Sequence, residues 1–463
     1  MASNNKADKA LIEAVEGRGF VSTFTKGGIT SKLSYIIIGL ENVVCGQVVK
    51  GLLFFLLEVA YFVFMATTGI GLLKGLKTLG THTQEMVFNE QLGIFETVPG
   101  DNSMLILLSG VIAIVITVAF IAVWLFSISS GEHARAQKAA GRHVRNFIED
   151  VKSLGNDNIQ YSFLAIPVVG LTVFTVMPLL YMILMAFTNY DSEHQPPGNL
   201  FHWVGLANFK TLLASSDRLA ATFWPVLGWT AIWGVCATFT CYFGGMILAI
   251  VINSKGINGK KFWRTLFVIT YAIPAFISLR FVATMLGERG IFNILIQSWG
   301  WTDKAMPFLT NATWARVTVI IVNFWIGVPV TMLMVSGILM NIPAELYESA
   351  KIDGATPFVQ FWKITFPYMW FVTTPYLISN LIGNFNNFNA IYFLTGGAPN
   401  SLDYFKGAGK TDLLVTWLYK LTKDSNDYNL AATIGILIFV ISATFTLITF
   451  SQSGAVKNEE GFQ

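Results

Sequence analysis

Apolar residues along this chain gather into eight blocks, at about 51–73, 104–128, 161–188, 222–253, 262–287, 314–340, 369–393 and 430–451. A helix needs about 20 residues to cross the hydrocarbon core of a bilayer. The pattern therefore predicts an all-α membrane protein with eight transmembrane helices. Ahead of the first block, "LSYIIIGLENVVCGQ" is apolar but interrupted by Glu41 and Asn42. The interruption predicts a helix lying at the membrane surface over 34–48, with a ninth span as the alternative. Residues 1–33 are polar, and the first long apolar block lies too far in to be a signal-peptide core, so the chain is expected to be targeted by its own spans.

Loop charge orients these spans. With the N-terminus in the cytoplasm, eighteen Lys and Arg fall in inner segments and ten in outer loops, Arg280 and Arg316 lying in or at the ends of spans. Positive residues favour the inner side, so both termini are expected to be cytoplasmic. The basic run "GEHARAQKAAGRHVRNFIEDVK" divides the chain. Four parts follow: a cytoplasmic N-terminal segment with the interfacial helix (1–50), two N-terminal spans (51–128), a basic cytoplasmic linker (129–160) and a six-helix core (161–463). Glu58 and Arg280 fall within spans, where a charge is a functional candidate; Glu58 is close enough to the inner interface to snorkel instead, and Arg280 lies toward the outer end of its span.

Composition agrees: of 463 residues, 54% are hydrophobic and only 12% charged, with a net charge of +3, against about 25% charged in soluble domains. Cys45, Cys236 and Cys241 have no disulfide or metal-ligand spacing, and Asp191–His194 lacks further ligands. "GAGKT" at Gly407–Thr411 resembles the end of a phosphate-binding loop, but the first glycine such a loop requires is replaced by Tyr404, and no strand precedes it. Any ATP is therefore expected on another polypeptide. No nucleophile, metal set or acid pair suggests bond chemistry.

The stretch "NIPAELYESAKIDGATPFVQFWKITFPYM", between the sixth and seventh blocks, predicts a short helix over Ala344–Ile352, begun at Pro343 and stopped by Asp353-Gly354. Thr356 and Pro357 then start a second helix. A helix this short is marginal alone, so it must rest on lipid or on a partner. Glu348-Ser349-Ala350, Gly354, Ile364 and Pro367 resemble the EAA loop of binding-protein-dependent ABC importer permeases. Ser349 stands in place of an alanine, and Phe366 in place of a leucine. The resemblance implies the type I importer permease fold and a coupling helix, with Glu348, Ser349, Ala350, Asp353 and Gly354 docking on a separate ATPase that binds ATP and Mg. It also implies that Gly354→Asp uncouples transport.

In the seventh block, Asn380, Asn384 and Asn387 recur at i, i+4 and i+7 on one helical face. Their amides suit sugar hydroxyls, with Phe385, Phe388, Tyr392 and Phe393 near to pack on sugar rings; equally, they suit hydrogen bonds between helices. "YAIPAFIS", "VNFWIGVP", "NFNNF" and "GKTDLLVTWLYKL" resemble the larger, MalF-type membrane subunit of maltose/maltodextrin importers. That likeness implies a cavity lined by Asn380, Gly383, Asn384 and Asn387, with Ile326, Gly327 and Val330 opposite. It further implies a second permease subunit, two ATPase copies, an extracellular sugar-binding protein and an oligosaccharide substrate. Val330 and Gly383 stand where that family would present aromatics, which widens the site. The loop after the third block is short, where the enterobacterial subunit has a large insertion, implying a membrane-tethered binding protein in a single-membrane cell. An ion-coupled secondary transporter is the rival class, but it would place acids or histidines at mid-membrane.

Overall fold

The computed structural model describes residues 20–90, 93–214, 217–254 and 256–452. It forms two compact units, Met1–Trp203 and Val204–Gln463.

In the first unit, short helices α1 (Phe20–Lys26), α2 (Ile29–Leu33) and α3 (Leu40–Val44) precede α4 (Val48–Thr78), which passes through a π-helical turn at Met65–Gly69. Strands β1 (Glu85–Asn89) and β2 (Ile94–Val98) follow. Helices α5 (Ser103–Ala139), α6 (Phe147–Ser153) and α7 (Ile159–Met185) complete the unit. Asn102 starts α5 by accepting the Met104 and Leu105 N–H groups, and a reciprocal Asn146–Glu149 cap starts α6.

The expected helix at 34–48 is replaced by turns and the five-residue α3, too short for a ninth span. Glu41 and Asn42 are the reason. Both are buried: Glu41 accepts from Ser31 and lies 3.9 Å from Arg135, and Asn42 donates to Gln47 and Ser130. Residues that interrupt the apolar run in sequence are the ones that fasten this segment to α5. Glu58 does not snorkel either; it is 7% exposed and accepts the Ile38 N–H at 3.0 Å. The turns between α2 and α3 leave that N–H without a helical acceptor, and the carboxylate supplies one.

The β1–β2 hairpin amends the all-α expectation. Its base is pinned by Asp101, whose carboxylate accepts the Thr81 and His82 N–H groups at 2.7 and 3.1 Å. Those donors hold the Asp101 carboxyl below the usual carboxylate range. A depressed folded value means that the clamp is present above the ordinary carboxylate range and is lost as pH falls through the folded value. Amide hydrogen exchange at Thr81 and His82, corrected for intrinsic rate, is expected to be slow at pH 7 and to accelerate below about pH 4.

The second unit contains α8 (Ala207–Leu213), α9 (Arg218–Asn253), α10 (Lys260–Ala272), α11 (Ala275–Met285), α12 (Ile291–Ser298), α13 (Ala312–Leu339) and α14 (Ala344–Ile352). Helix α15 runs from Pro357–Gln360 through a π-helical turn, Phe361–Thr365, into Phe366–Phe385. Then come α16 (Phe388–Leu394), α17 (Leu414–Lys423) and α18 (Tyr428–Gln452).

Helix α9 is the axis of this unit. Trp233 and Tyr242 are buried on it. At Gly245 an added Cβ would lie 2.8 Å from the Met332 N, so α13 approaches backbone to backbone, as small residues allow between membrane helices. Tyr242 and Thr373 hydroxyls meet at 2.8 Å and tie α9 to α15.

Among the described residues, six helices are long and apolar enough to cross a membrane: α4, α5, α7, α9, α13 and α18. The blocks at 262–287 and 369–393 are each broken in two. The first breaks at Ile273-Pro274, because proline lacks an N–H and pushes the preceding residue out of the helical region. The second breaks at Asn386-Asn387, where the Asn387 side chain accepts the Ala390 N–H and starts α16.

Candidate functional site

Asn380 and Asn384 share a face of α15, whereas Asn387, expected on the same helical face, lies in the break beyond Phe385 and caps α16; most of these amides are engaged within the protein. Asn384 donates to Thr238 Oγ1 on α9 and to Asn380 Oδ1, both at 2.9 Å, while its main-chain carbonyl accepts from Trp233 Nε1. Both of its amide hydrogens are therefore used. Asn380 donates to the Tyr376 hydroxyl at 3.3 Å and Asn387 to Asn384 at 3.4 Å, longer bonds that a ligand can compete for. Gly383 is exposed, with nothing within 4 Å of an added Cβ.

On α13, Ile326 packs beside the cluster of Trp233, Val322 and Ile391, which Phe393 also joins. Gly327 has a packing role: a Cβ there would come within 2.6 Å of Cys241 Sγ on α9. Val330 is half-buried. The aromatic rings expected to face a sugar mostly face one another. Phe388 and Tyr392 stack at 4.6 Å and both meet Tyr419, Phe385 lies against Gly234 and Phe445, and Phe393 meets Phe276 at 5.8 Å.

A cavity of about 300 Å³ opens at the other helix break, lined by Tyr271, Ile273, Pro274, Ser278, Trp325 and Ile326. Its lining includes two hydroxyl-bearing residues, Tyr271 and Ser278, and the indole of Trp325, beside the break between α10 and α11, a combination suited to a polyol. Ile326 alone among the expected lining residues belongs to it. Pro274 within an apolar block was the signal for this cavity; a broken helix marks a binding region in transporters.

The turn at 344–357 has the expected form. Helix α14 has no buried residue, and Glu348, Ser349, Asp353 and Gly354 are exposed, with Ala350 half-buried. Gly354 has φ +77°; Ala355 N–H donates to Ala350 O at 2.8 Å and Gly354 N–H to Lys351 O at 3.0 Å, the paired bonds of a Schellman stop. Thr356 accepts the Val359 N–H and starts α15, and the hydroxyls of Tyr347 and Thr365 meet at 2.9 Å. Ile352 (86% exposed) and Phe358 (70%) stand outward on this surface.

The GAGKT stretch holds no phosphate cradle. Gly409 N–H donates to Asp412, Thr411 Oγ1 donates to Ala398 O, and Lys410 Nζ lies 3.7 Å from the Tyr404 ring centroid. Its groups serve a folded segment clamped to α9 by Trp229 Nε1 on Thr411 O.

Long apolar helices, two broken apolar blocks and an exposed helix–glycine–helix turn fit a membrane transport subunit. Residues 242–456 match the family described as binding-protein-dependent transport system inner membrane component. A maltodextrin transport system permease protein of Bacillus subtilis, MdxF, is 36% identical over 448 residues, covering 95% of this chain and 98% of its own. A galactooligosaccharides permease protein of the same organism, GanP, is 33% identical, covering 92% and 97%. The MalF protein of Escherichia coli K12 is 34% identical over 279 residues, 58% of this chain and 52% of its own. In fold, the chain resembles a bacterial alginate ABC transporter, solved with a pentasaccharide-bound periplasmic protein, with TM-score 0.54 and 23% identity over 66% of this chain and 98% of that one. The chain belongs to the family of binding-protein-dependent ABC importer permeases, of the MalF type. It is a multi-pass protein of the bacterial plasma membrane and a transport subunit rather than an enzyme.

Proposed function

We propose that this chain is one half of a heterodimeric pore importing a maltodextrin or a related oligosaccharide. It crosses the membrane eight times, the two broken blocks serving as spans, with both termini cytoplasmic. Its N-terminal spans, basic linker and six-helix core are distinct parts. A second permease completes the pore, and two copies of an ATPase bind ATP and Mg. An extracellular binding protein, tethered to the membrane of a single-membrane cell, delivers the sugar.

The observation that carries this reading is the Gly354 turn: an exposed short helix, fixed by a Schellman stop, with Ile352 and Phe358 outward in a chain of this family. Such a surface needs a partner. Glu348, Ser349, Ala350, Asp353 and Gly354 form the face that docks on the ATPase, whose closure rocks the spans.

The sugar passes between the Asn380–Asn387 stretch and the Pro274 cavity. Asn380 and Asn387 offer the amides a hydroxyl can compete for, and Gly383 leaves room. Asn384 and Gly327 hold the wall to α9, while Ile326 and Val330 line the opposite side. The reading is supported by the maltodextrin and galactooligosaccharide permeases among the relatives.

The test is the complex purified through a tag on this chain and reconstituted with its binding protein. Maltotetraose is expected to stimulate ATP hydrolysis. Stimulation by a galactooligosaccharide alone would move the substrate, and absence of a co-purifying ATPase would sink the reading. In the same vesicles, Trp325→Ala is expected to lower sugar uptake about three- to tenfold through loss of an aromatic face, with the ATPase still assembled.

A further inference from the structure

The β1–β2 hairpin has no role in the function proposed above. In its register Met86 faces Thr97 and Phe88 faces Phe95. Alternation along a strand puts these four on one side, which carries no charge. Glu85 and Glu96 lie on the other. Met86 is 76% exposed, Phe88 50% and Phe95 68%, with the two phenyl rings edge to face at 5.1 Å.

A two-stranded hairpin is marginal in water by itself, yet this one is held in place. Besides the two bonds to its carboxylate, Asp101 donates its own N–H to His82 O at 2.7 Å. Gly100 lies so close to the opposite strand base that an added Cβ would be 2.4 Å from Gln84 N. An apolar face held rigid before contact loses little entropy on docking.

Charge selects the occupant. Residues 79–102 contain Glu85, Glu90, Glu96 and Asp101 and no Lys or Arg. An anionic bilayer surface attracts basic segments and repels this one. An uncharged apolar face on a hairpin whose other side and tip carry carboxylates as their only charges fits a protein with an apolar patch and basic residues beside it.

On the proposed orientation, which puts the hairpin outside the cell, we infer that it is a docking surface for the importer's extracellular binding protein. This rests on the reading above and adds a contact to it.

The experiment titrates binding protein loaded with maltotetraose onto the full complex in proteoliposomes and reads ATP hydrolysis. The variant Phe88→Ser/Phe95→Ser is expected to raise the half-saturating concentration of binding protein about tenfold or more, with the maximal rate unchanged. A fluorophore sensitive to polarity, attached through Met86→Cys, is expected to shift blue only when binding protein is added. That label decides the matter even where the double variant fails to assemble. Unchanged half-saturation with an intact maximal rate would overturn the inference. So would a blue shift in vesicles alone that binding protein leaves untouched, which would put the hairpin on lipid. A wild-type complex that binding protein does not stimulate would overturn the functional reading and this contact together, so the two failures are distinguishable.

Discussion

A Gly354→Val importer is expected to lose at least nine-tenths of its sugar-stimulated ATP hydrolysis and transport while reaching the membrane normally. The residue has φ +77°, a left-handed conformation that costs an L-residue about 1–2 kcal/mol and is an outlier for a β-branched side chain. Each 1.4 kcal/mol is about tenfold in a docking equilibrium. Space is not the difficulty, since nothing lies within 4 Å of an added Cβ. The structure thus removes crowding within this chain from the expected effect of Gly354→Asp and leaves two causes, backbone strain and charge. Asparagine and aspartate tolerate this conformation best, so Gly354→Asn is expected to retain much of the activity. If Gly354→Asp then falls well below Gly354→Asn, the difference reports a carboxylate placed against the ATPase. If Asn, Asp and Val all transport normally, the turn is not the coupling element.

The second large effect is on stability. Asp412 is fully buried and receives Lys420 Nζ at 2.6 Å, Gly409 N–H at 2.7 Å and Thr416 Oγ1 at 2.8 Å. Burial pushes its carboxyl up, and the Lys420 ammonium opposes that. Lys420 is itself only 13% exposed in its side chain. Removing one member of a buried pair leaves an uncompensated charge, at a cost of about 3–5 kcal/mol. Asp412→Ala is therefore expected to lower the thermal denaturation midpoint of the purified complex more than any other single change in the 395–427 segment. Replacing both partners by apolar residues is often nearly neutral, so Asp412→Ala/Lys420→Met should recover a large part of the loss. Equal destabilisation by the single and double variants would show that the loss comes from the Gly409 and Thr416 bonds rather than from the stranded ammonium.

Features whose physics is local were legible in the sequence. Six apolar blocks became single long helices because length and hydropathy decide that within about 20 residues. The Ala344–Ile352 helix, its Gly354 stop and the Thr356-Pro357 restart came out as expected, since capping and turn chemistry act over three to five residues. The break at Pro274 could have been read by the same logic, but an apolar run of spanning length masked it.

What tertiary structure decided was the partner of each polar group. Glu58 caps Ile38 across 20 positions, and Asn384 donates to Thr238 across 146. The GAGKT segment spends its groups on Asp412, Ala398 and α9. An asparagine reads alike in sequence whether it awaits a sugar or binds a neighbouring helix, because its donors and acceptors are the same in both roles. The sequence by itself determined where six long apolar helices form and where a short helix must stop. Only packing determined which amides are spent on the fold and which are held by longer bonds, because a hydrogen bond is settled by a distance that two residues far apart in the chain acquire together.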